Sequence, residues 1–464
     1  MGFVHLKKIR IIVSSLFFVL AVVVYLDITN SLQVSLSPYL VYLQFIPSLL
    51  KFLSVAGLAA AGFIIISILG FLFGRVYCSS VCPLGTLQDI ISFISKKIKK
   101  KKHFKLSKNF KWLRYSILSL TGISFIAGNL VLLDILDPFS NTGKIMTNLF
   151  RPIILLANNL IAFTFEKLNI YAVYPVEIKA ISITMVGAST IIFLVILLMS
   201  YNRGRLFCNT ICPVGALLGL YSKFSFIKIT IDENNCNSCN LCEKVCKAEC
   251  IDKKAKQIDF ERCVGCYNCF SVCPNEGITF RKSFLKNKKP DKVKIDLKKR
   301  EFITKTFLYS LSLSSLSFIQ NKIIPKKEST VPVIKKHTVS PPGSISFSNF
   351  TSRCTACHLC VSSCPAQVLQ PALWEYGFTG ILQPYMDYTT SYCTYDCLIC
   401  GDVCPTGAIL PVGPEQKKTL QIGKTTFVKE NCIVETEKTE CGACAEHCPT
   451  KAVKMIPRDH LLNG

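Results

Sequence analysis

Eight cysteines near the middle of the chain have the spacing of iron–sulfur ligands. They form two runs with the spacing C-x2-C-x2-C-x3-C, and Pro274 follows the second run. In this arrangement three cysteines of a run bind one cluster, and the fourth binds the cluster of the other run. The spacing therefore predicts two [4Fe–4S] clusters. The expected ligands are Cys236, Cys239, Cys242 and Cys273 for one cluster, and Cys263, Cys266, Cys269 and Cys246 for the other.

Zinc centres and disulfide knots also use many cysteines. Zinc centres commonly use two C-x2-C pairs rather than two runs of four, so the spacing favours iron–sulfur binding. Two residues depart from the pattern. Lys247 stands where a proline would follow the first run, and Cys250 is left over. We interpret Cys250 as a packed or spare thiol.

The C-terminal region carries three further runs, each ending in C-x2-C-x3-C-P. They predict three more [4Fe–4S] clusters, about five in the whole chain. The runs are Cys354, Cys357, Cys360 and Cys364; Cys393, Cys397, Cys400 and Cys404; and Cys432, Cys441, Cys444 and Cys448. Three runs do not divide into pairs, so the fourth ligand of each cluster stays unassigned. Residues 354–358 also spell C-x-x-C-H, a haem attachment motif, but a complete four-cysteine run surrounds them and favours iron–sulfur binding.

The four remaining cysteines lie in a repeated phrase, G-R-x-x-C-x3-C-P-x-G. Residues 74–85 contain Cys78 and Cys82, and residues 204–215 contain Cys208 and Cys212. On a helical turn, C-x3-C places both sulfurs on one side. Two such turns could offer four thiolates to a metal or a cluster, or act as a dithiol relay. The alternative is that these cysteines are small apolar packing residues.

The composition indicates a membrane protein. Half of the 464 residues are hydrophobic, and the formal net charge is +25. A basic chain can bind nucleic acid, but here the lysines and arginines lie in short blocks beside apolar stretches. That pattern is typical of the cytoplasmic loops of membrane proteins, so no nucleic-acid partner is expected. The length suits two to four domains.

Four apolar stretches are predicted to span the membrane, at residues 11–26, 52–73, 115–133 and 180–201. Residues 31–50 are predicted to form an outer loop with an interfacial stretch. Residues 152–165 are too short to span and are expected to be interfacial or re-entrant. A lysine block at 96–105 follows the second span, and Arg203 and Arg205 follow the fourth. The positive-inside rule places these basic ends in the cytoplasm.

Residues 299–305 resemble a twin-arginine export signal in which Lys299 replaces the first arginine, and uncharged residues 306–321 follow. Such a signal suits a domain that takes up its clusters in the cytoplasm and then crosses the membrane folded. An ordinary fifth membrane helix gives the same topology, with the C-terminal domain outside the cytoplasm. An amphipathic surface segment would instead leave that domain inside.

Other redox and catalytic sites lack a sequence signal. None of the six histidines lies inside a predicted span, which removes the usual bis-histidine haem of membrane electron carriers. No G-x-G-x-x-G fingerprint is present, so a nicotinamide site is not expected. No acid–base pair or nucleophile stands out, and no catalytic residue is predicted.

These motifs together resemble those of a known group. Roughly the first 280 residues, with four spans, two G-R-x-x-C-x3-C-P motifs and a two-cluster ferredoxin pattern, resemble the NapH/MauN type of membrane quinol dehydrogenase subunit. The broader group includes NosR-like and CcoG-like proteins. The tail from about Lys298 is similar to the NapG/MauM polyferredoxins, which usually have four clusters rather than three. The resemblance implies electron flow from membrane quinol through iron–sulfur clusters to an acceptor outside the cytoplasm.

The predicted fold is an α-helical membrane domain, with four spans plus a fifth signal-anchor-like span, and two small α+β ferredoxin-like iron–sulfur domains. The expected divisions are 1–225 for the membrane domain, 226–285 for the two-cluster domain, 286–349 for the basic linker, signal-like segment and proline-containing linker, and 350–464 for the three-cluster domain. We expect a multi-pass protein of the bacterial inner membrane. Its two-cluster domain would be cytoplasmic and its three-cluster domain periplasmic.

Three functional hypotheses follow. The first is a quinol dehydrogenase-like electron-transfer protein whose partners are the quinol pool and a periplasmic reductase or cytochrome. The second is a cofactor-maturation or thiol-redox factor of the CcoG-like kind, in which the membrane cysteines donate thiols or metal. The third is cytosolic electron transfer to quinone, which requires the C-terminal domain to lie inside.

Overall fold

The computed structural model of the chain describes residues 4–29, 31–55, 61–98, 106, 109–179, 181–282, 338–388, 391–420, 422, 427, 430, 432–448 and 451–456. The predicted basic stretch and twin-arginine-like segment, up to residue 337, lie outside these ranges. The lysines at positions 99–105 also lie outside them.

The first half of the membrane domain contains a sharply bent helix pair. Its helices are α1 Val4–Leu26, α2 Ser31–Tyr42, α3 Phe45–Val55, α4 Gly62–Phe73, α5 Val76–Ser80, α6 Pro83–Ile98 and α7 Lys111–Ile126. Pro38 lies inside α2, and α2 and α3 meet at an angle of 95°. Gly62 at the start of α4 lies against the carbonyl oxygen of Tyr42, where any Cβ would clash. Glycine therefore lets α4 pack directly on the end of α2.

The second half repeats the arrangement of the first around its cysteines. Its helices are α8 Val131–Leu136, α9 Pro138–Ile145, a π-helical turn at Met146–Phe150, α10 Arg151–Lys167, α11 Ile183–Arg203, α12 Leu206–Thr210 and α13 Pro213–Lys223. In each half a long apolar helix ends at a glycine of positive φ, Gly74 or Gly204. A five-residue helix with the first cysteine follows, and the next helix begins at the proline after the second cysteine.

The helices differ in part from the predicted spans. Within the described residues, three helices are long and apolar enough to cross a membrane, at His5–Leu26, Pro138–Lys167 and Ile183–Arg203, and the bent α2–α3 pair is a possible fourth crossing. The first and fourth predicted spans correspond to α1 and α11. The second corresponds to the end of α3 and the short helix α4, and the third is divided between α7 and α8. Gly128, with a φ of 76°, lies in the turn that ends α7.

Two segments form more helix than their sequences indicated. They are the predicted outer loop at residues 31–50 and the predicted interfacial or re-entrant stretch at residues 152–165. The predicted outer loop is the bent pair α2–α3. The 14-residue stretch lies inside a continuous helical segment of 30 residues, long enough to span. Its length was underestimated because the polar residues Ser140–Thr147 belong to the same helix. Their side chains are buried against neighbouring helices rather than exposed to lipid.

The two-cluster domain is small and joined tightly to the membrane helices. Strands β1 Ile227–Ile231 and β4 Ile278–Lys282 pair antiparallel, as do β2 Ile251–Asp252 and β3 Gln257–Ile258, and α14 is Leu241–Val245. Its buried side chains belong to the same hydrophobic core as those of α3–α6 and α11–α13. The domain therefore has no separate core of its own.

The described part of the C-terminal domain contains short elements. They are α15 Phe347–Thr351, α16 Leu359–Ser362, β5 Leu369–Pro371, β6 Pro384–Met386, α17 Ile399–Asp402, α18 Pro414–Thr419, α19 Ile433–Thr436 and α20 Ala443–Glu446. Strands β5 and β6 pair antiparallel. This domain also shares a core with membrane helices, which includes Tyr25 of α1, Leu40 of α2 and Phe139 of α9.

The two cluster-binding domains contact opposite ends of α1. At the N-terminal end, Lys7 donates a hydrogen bond to the Ser271 hydroxyl of the two-cluster domain, over 3.1 Å. At the C-terminal end, Ala21 and Tyr25 pack in one core with Cys357 of the C-terminal domain. A 23-residue helix is about 34 Å long at 1.5 Å per residue, close to the thickness of a bilayer.

Asp89 joins three separate parts of the structure. Its carboxylate pairs with Arg10 of α1, with Nε of Arg205 at 2.8 Å, and with Nζ of Lys247 in the two-cluster domain at 3.3 Å. Burial raises the pKa of Asp89, but Arg205, Lys247 and Arg10 outweigh it and hold that pKa well below its usual value. Lys247 stands where a proline was expected. The lysine at this position forms an ion pair with Asp89 and so joins the two-cluster domain to the membrane helices.

We expect Asp89→Asn to destabilise the protein by about 3–5 kcal/mol, because it leaves buried cations without a counter-charge. Thermal unfolding of the detergent-solubilised protein measures the change. The matched control is Glu415→Gln, whose carboxylate is 86% exposed and forms an i,i+3 pair with Lys418. The control should cost no more than about 1 kcal/mol. Equal losses in the two variants would contradict a structural role for the Asp89 pairs.

The pH dependence of the stability difference between wild type and Asp89→Asn provides a second check on the Asp89 ion pairs. A carboxyl whose pKa is depressed by folding contributes its full stability above its unfolded pKa of about 3.9, and the contribution falls as the pH drops toward the folded value. The difference between wild type and Asp89→Asn should therefore be constant from about pH 8 to pH 5 and should shrink only at lower pH.

Candidate iron–sulfur sites and the buried thiol cluster

Three of the cysteine runs share one backbone conformation. In each C-x2-C-x2-C loop, the residue before the second cysteine and the residue after it both have positive φ. The pairs are Ser238 and Asn240, Gly265 and Tyr267, and Ala356 and His358. Left-handed residues are uncommon outside glycine, and successive turns of this kind aim backbone N–H groups into a concavity that suits an anion. A cluster held by thiolates is such an anionic group.

The turn that follows each run is also shared. The third residue after the last cysteine has positive φ in all five runs, at Glu249, Glu276, Gln367, Gly407 and Lys451. The backbone N–H of Glu249, Gln367 and Lys451 each donates to the carbonyl oxygen of the preceding fourth cysteine at 3.1 Å. The sequence did not reveal this turn, because only one of the five residues is glycine. The run at 432–448 has the same turn as the other four.

The thiols of the two-cluster domain lie near one another in the structure. Burial, with the nearby thiols of Cys239, Cys236 and Cys273, raises the pKa of Cys242 to about 11. The thiol of Cys269 lies near those of Cys266, Cys263 and Cys246. Each group therefore takes three cysteines from one run and the last cysteine of the other.

In the C-terminal domain, the first two runs pair in the same way. The thiol of Cys360 lies near those of Cys357, Cys354 and Cys404. Burial and the nearby thiols of Cys364, Cys393 and Cys397 raise the pKa of Cys400 to about 12. The exchange of fourth ligands between runs 354–364 and 393–404 resolves the pairing that the sequence left open.

The third C-terminal run stands apart from this pair. Cys432 precedes α19, and Cys444 lies on α20. Three of its four thiols are partly buried, and that of Cys444 is exposed. The run therefore has to supply all four ligands of any cluster that it binds.

The thiol groups suit clusters better than single metal ions. Four thiolates around one zinc ion at 2.3 Å lie about 3.8 Å from one another. Among the described residues, no group of three or more Cys, His, Asp or Glu side chains is arranged to hold one ion. Thiols grouped around a larger space, with inward N–H groups, fit an iron–sulfur cube. The sequence preference for clusters over zinc therefore agrees with the structure.

His358 has a structural role in the first C-terminal run. Its Nε2 lies 2.7 Å from the Leu382 carbonyl oxygen, and its Nδ1 lies 3.2 Å from Nδ2 of Asn148 in the π-helical turn. Nε2 therefore carries the proton, and Nδ1 accepts from the amide. Burial lowers the pKa of His358 to about 3, which keeps the ring neutral. Both ring nitrogens are engaged, which argues against the haem interpretation of C-x-x-C-H.

Cys250 contacts two predicted ligands. Its sulfur lies 3.5 Å from that of Cys246, and a hydrogen bond to Cys263 adds to the effects that raise the pKa of the Cys250 thiol. When Cys246 and Cys263 bind a cluster as thiolates, the Cys250 S–H group donates to them. Cys250 is 1% exposed, so its interpretation as a packed thiol is confirmed, and its contact with the Cys246 sulfur is of the kind that adjusts cluster potentials.

The arginine of each G-R-x-x-C repeat donates a hydrogen bond to the backbone of the other repeat. This pair of contacts is called the clasp below. Nη2 of Arg75 donates to the Cys208 carbonyl oxygen at 2.8 Å, and Nη1 of Arg205 donates to the Cys78 carbonyl oxygen at 2.6 Å. A Cβ on Gly215 would lie only 2.8 Å from Nη2 of Arg75. The motif glycine after each proline therefore leaves room for the opposite arginine.

The clasp brings the four membrane-domain thiols together in a buried cluster. Each of the four thiols is 3% exposed, and each lies close enough to the other three for their charges to interact. The four residues are Cys78, Cys82, Cys208 and Cys212. Burial and the thiols of Cys208 and Cys78 raise the pKa of Cys82 well above its usual value. These four cysteines are called the buried thiol cluster below.

Unpartnered donors surround the buried thiol cluster. Among the described residues, Nε of Arg75, Nη2 of Arg205 and Nε2 of Gln88 are buried without a hydrogen-bond partner. Nη2 of Arg75 lies 4.0 Å from the Cys78 sulfur, and Oε1 of Gln88 lies 3.5 Å from the Cys208 sulfur. Buried donors normally have partners, so this environment suits an anionic group at the four sulfurs.

Family models match four parts of the chain. A model described as a 4Fe–4S binding domain matches residues 55–101 and 186–231, which contain the two G-R-x-x-C repeats. A second 4Fe–4S binding domain model matches residues 256–279, and a 4Fe–4S dicluster domain model matches residues 353–408. The dicluster match covers the two C-terminal runs that the structure pairs. The chain therefore binds several [4Fe–4S] clusters.

Curated relatives with ferredoxin-type names match parts of the chain. Ferredoxin-type protein NapH of Escherichia coli is 24% identical over 48% of this chain and 68% of its own length. The methylamine utilization ferredoxin-type protein MauN of Methylobacillus flagellatus is 25% identical over 47% and 65%. MauM of Methylophilus methylotrophus is 31% identical over 25% and 52%. No solved structure matches the chain significantly.

We expect Cys250→Ala to lower the midpoint potential of one central cluster by about 20–60 mV, the equivalent of a hydrogen bond of roughly 0.5–1.5 kcal/mol for one electron. The loss of a donor to the ligand sulfurs destabilises the reduced, more negative cluster. A redox titration followed by electron paramagnetic resonance measures the shift. Cys250→Ser keeps a donor and should shift the potential less. A potential that stays constant or rises in Cys250→Ala would exclude the hydrogen bond.

Proposed function

We propose that this NapH/MauN-type ferredoxin protein passes electrons from membrane quinol, through its [4Fe–4S] clusters, to an acceptor outside the cytoplasm. That it is an iron–sulfur electron-transfer protein rests on its cluster-binding domains and its relatives. Bound clusters supply one-electron storage and transfer, and the protein adjusts their potentials. The acceptor would be a reductase or cytochrome on the outer side.

The observation that carries the proposal is the contact of the two cluster-binding domains with opposite ends of α1. Lys7 reaches the two-cluster domain at one end, and Tyr25 packs with the C-terminal domain at the other. A protein built in this way has cluster ligands on both sides of its apolar layer. Such an arrangement is useful for electron transfer across a membrane and has no evident purpose in a protein confined to one side.

The distribution of basic residues supports a cytoplasmic two-cluster domain. Lys96 and Lys97 lie in the last turn of α6, and Arg203 ends α11. Both helix ends lie on the side of this domain, because Arg205 and Asp89 contact Lys247. By the positive-inside rule that side is cytoplasmic. The C-terminal domain, at the other end of α1, would then be periplasmic.

We further propose that the buried thiol cluster binds an iron–sulfur group between the two domains. On one side, Ser79, the neighbour of Cys78, donates to the carbonyl oxygen of Gly265, the neighbour of Cys266, at 3.2 Å. On the other side, Tyr77 lies near Asp137, and Asp137 lies near Cys357 of the C-terminal domain. The guanidinium groups of Arg75 and Arg205 would offset part of the charge of four thiolates in this buried place.

The double variant Cys78→Ser with Cys208→Ser tests the buried thiol cluster. We expect a loss of about four iron atoms per chain, because two of four ligands are removed while the ferredoxin runs stay intact. Iron analysis of purified protein measures the loss. Cys250→Ser, which changes a buried cysteine outside the five runs, should keep its iron. Unchanged iron in the double variant would assign these cysteines to packing.

The direction and sidedness of electron transfer need two measurements on the full-length protein. In spheroplasts, an external protease should digest the chain after Phe350. In detergent, added hydroquinone should reduce the clusters, as followed by the loss of visible absorbance. Protection of the tail until lysis would favour cytosolic electron transfer to quinone. Reduction by dithionite but not by hydroquinone would favour the maturation or thiol-redox function.

A further inference from the structure

A cavity of about 690 Å³ lies between the membrane helices and the C-terminal domain. Residues of α1, of the bent α2–α3 pair, and of the segment 402–405 form its walls. The 95° bend and Pro38 in α2 hold the helices apart at this place. Its volume lies within the range of small-molecule sites, and its lining is mostly apolar.

The cavity opens toward the lipid. Leu16 of α1 and Tyr39 of α2 line it and are 65% and 72% exposed. Leu16 lies on α1, which is long and apolar enough to cross a membrane, and Tyr39 lies on α2, which is long enough only together with α3 as one bent span. In a membrane the exposed faces of these two residues would meet acyl chains. An apolar molecule dissolved in the bilayer can therefore enter the cavity without passing through water.

The inner wall of the cavity contains a cluster ligand. Cys404 lines it between Val403 and Pro405. The thiol of Cys404 belongs to the group formed with Cys354, Cys357 and Cys360. A molecule in the cavity thus lies directly beside one ligand of the first C-terminal cluster. A lipid tail exchanges no electrons with a cluster, whereas a redox-active molecule at this place could do so.

Polar groups on the walls are few. Asp402 and Lys51 are the charged residues that line the cavity, and Ser37, Ser48 and Tyr42 supply hydroxyl groups. Ser37 is only 2% exposed and Asp402 is exposed. An apolar chamber with several hydroxyl groups, one carboxylate and one ammonium suits a ring with two hydroxyl groups on an apolar body.

We propose that this cavity is a hydroquinone oxidation site that delivers electrons to the cluster of which Cys404 is a ligand. The inference rests on the proposed function and adds the place where quinol reacts. Hydroquinone loses two electrons and two protons as its two O–H bonds break and two C=O bonds form. The electrons leave one at a time through the Cys404 cluster to the acceptor. Both protons pass to water at the exposed edge of the cavity wall formed by residues 402–405.

The structure defines a variant that closes the cavity. Ser37→Phe fills the chamber with a side chain, and its control is Leu160→Phe on the lipid-exposed face of α10, where Leu160 is 66% exposed.

The experiment has two readouts on full-length protein with its clusters. A photoreactive azidoquinone with a decyl tail reports binding through crosslinked peptides. Decylubiquinol reports the rate of cluster reduction, and dithionite reduction checks that each variant holds its clusters. We expect crosslinks in residues 37–51 or 402–405. Ser37→Phe should lose them and reduce its clusters roughly tenfold more slowly or worse. The control Leu160→Phe should keep the crosslinks and the rate of wild type.

Each contrary outcome has a distinct meaning. Wild-type rates and crosslinks in Ser37→Phe, or crosslinks only at other positions, would overturn the cavity as the site while leaving the proposed function intact. A wild-type protein that crosslinks in the cavity but is not reduced by decylubiquinol would overturn both hydroquinone oxidation and the proposed direction of electron flow.

Discussion

Two buried guanidinium groups determine how the halves of the membrane domain meet. Arg75 and Arg205 each donate to the backbone of the opposite repeat, at the carbonyl oxygen of its first cysteine. Both side chains are 1% exposed, so their charges must be compensated inside the protein. Asp89 compensates Arg205, and the carbonyl oxygens of Cys208 and Glu261 and the side chain of Asn209 accept from Arg75. The four thiols lie close together because each arginine is hydrogen-bonded to the opposite repeat.

The same interactions bring the two-cluster domain onto the membrane helices. Arg75 donates to the Glu261 carbonyl oxygen, the backbone N–H of Arg205 donates to the Lys247 carbonyl oxygen, and Asn209 donates to the Ala248 carbonyl oxygen. Each contact joins a residue of a repeat to a residue close to a cluster ligand. The clasp therefore sets the distance between the buried thiol cluster and the nearest ferredoxin site, the distance that electrons would cover if the buried thiol cluster holds the proposed iron–sulfur group.

The sequence predicted the kind of cofactor better than the helices. Cysteine spacing is a local property, and it was enough to identify the cluster chemistry, whereas the crossed pairing of ligands stays a prediction. The pairing of Cys404 with the first C-terminal run depends on how the two runs fold together, which spacing alone does not contain. Hydropathy found α1 and α11 but not the helix through Ser140, because its polar side chains are buried by neighbouring helices and domains. The role of Lys247 was also hidden, since its partner Asp89 is far away in the chain.

The shared cores change how this protein should be viewed as an assembly. Buried residues such as Ile229 and Val264 of the two-cluster domain belong to one continuous core with Tyr77 and Leu218 of the membrane helices. The C-terminal domain is continuous with α1 and α2 in the same way. The chain is thus not a membrane anchor that carries two detachable ferredoxins. Neither cluster domain excised alone would keep a complete interior, because part of the core around each of them comes from the membrane helices.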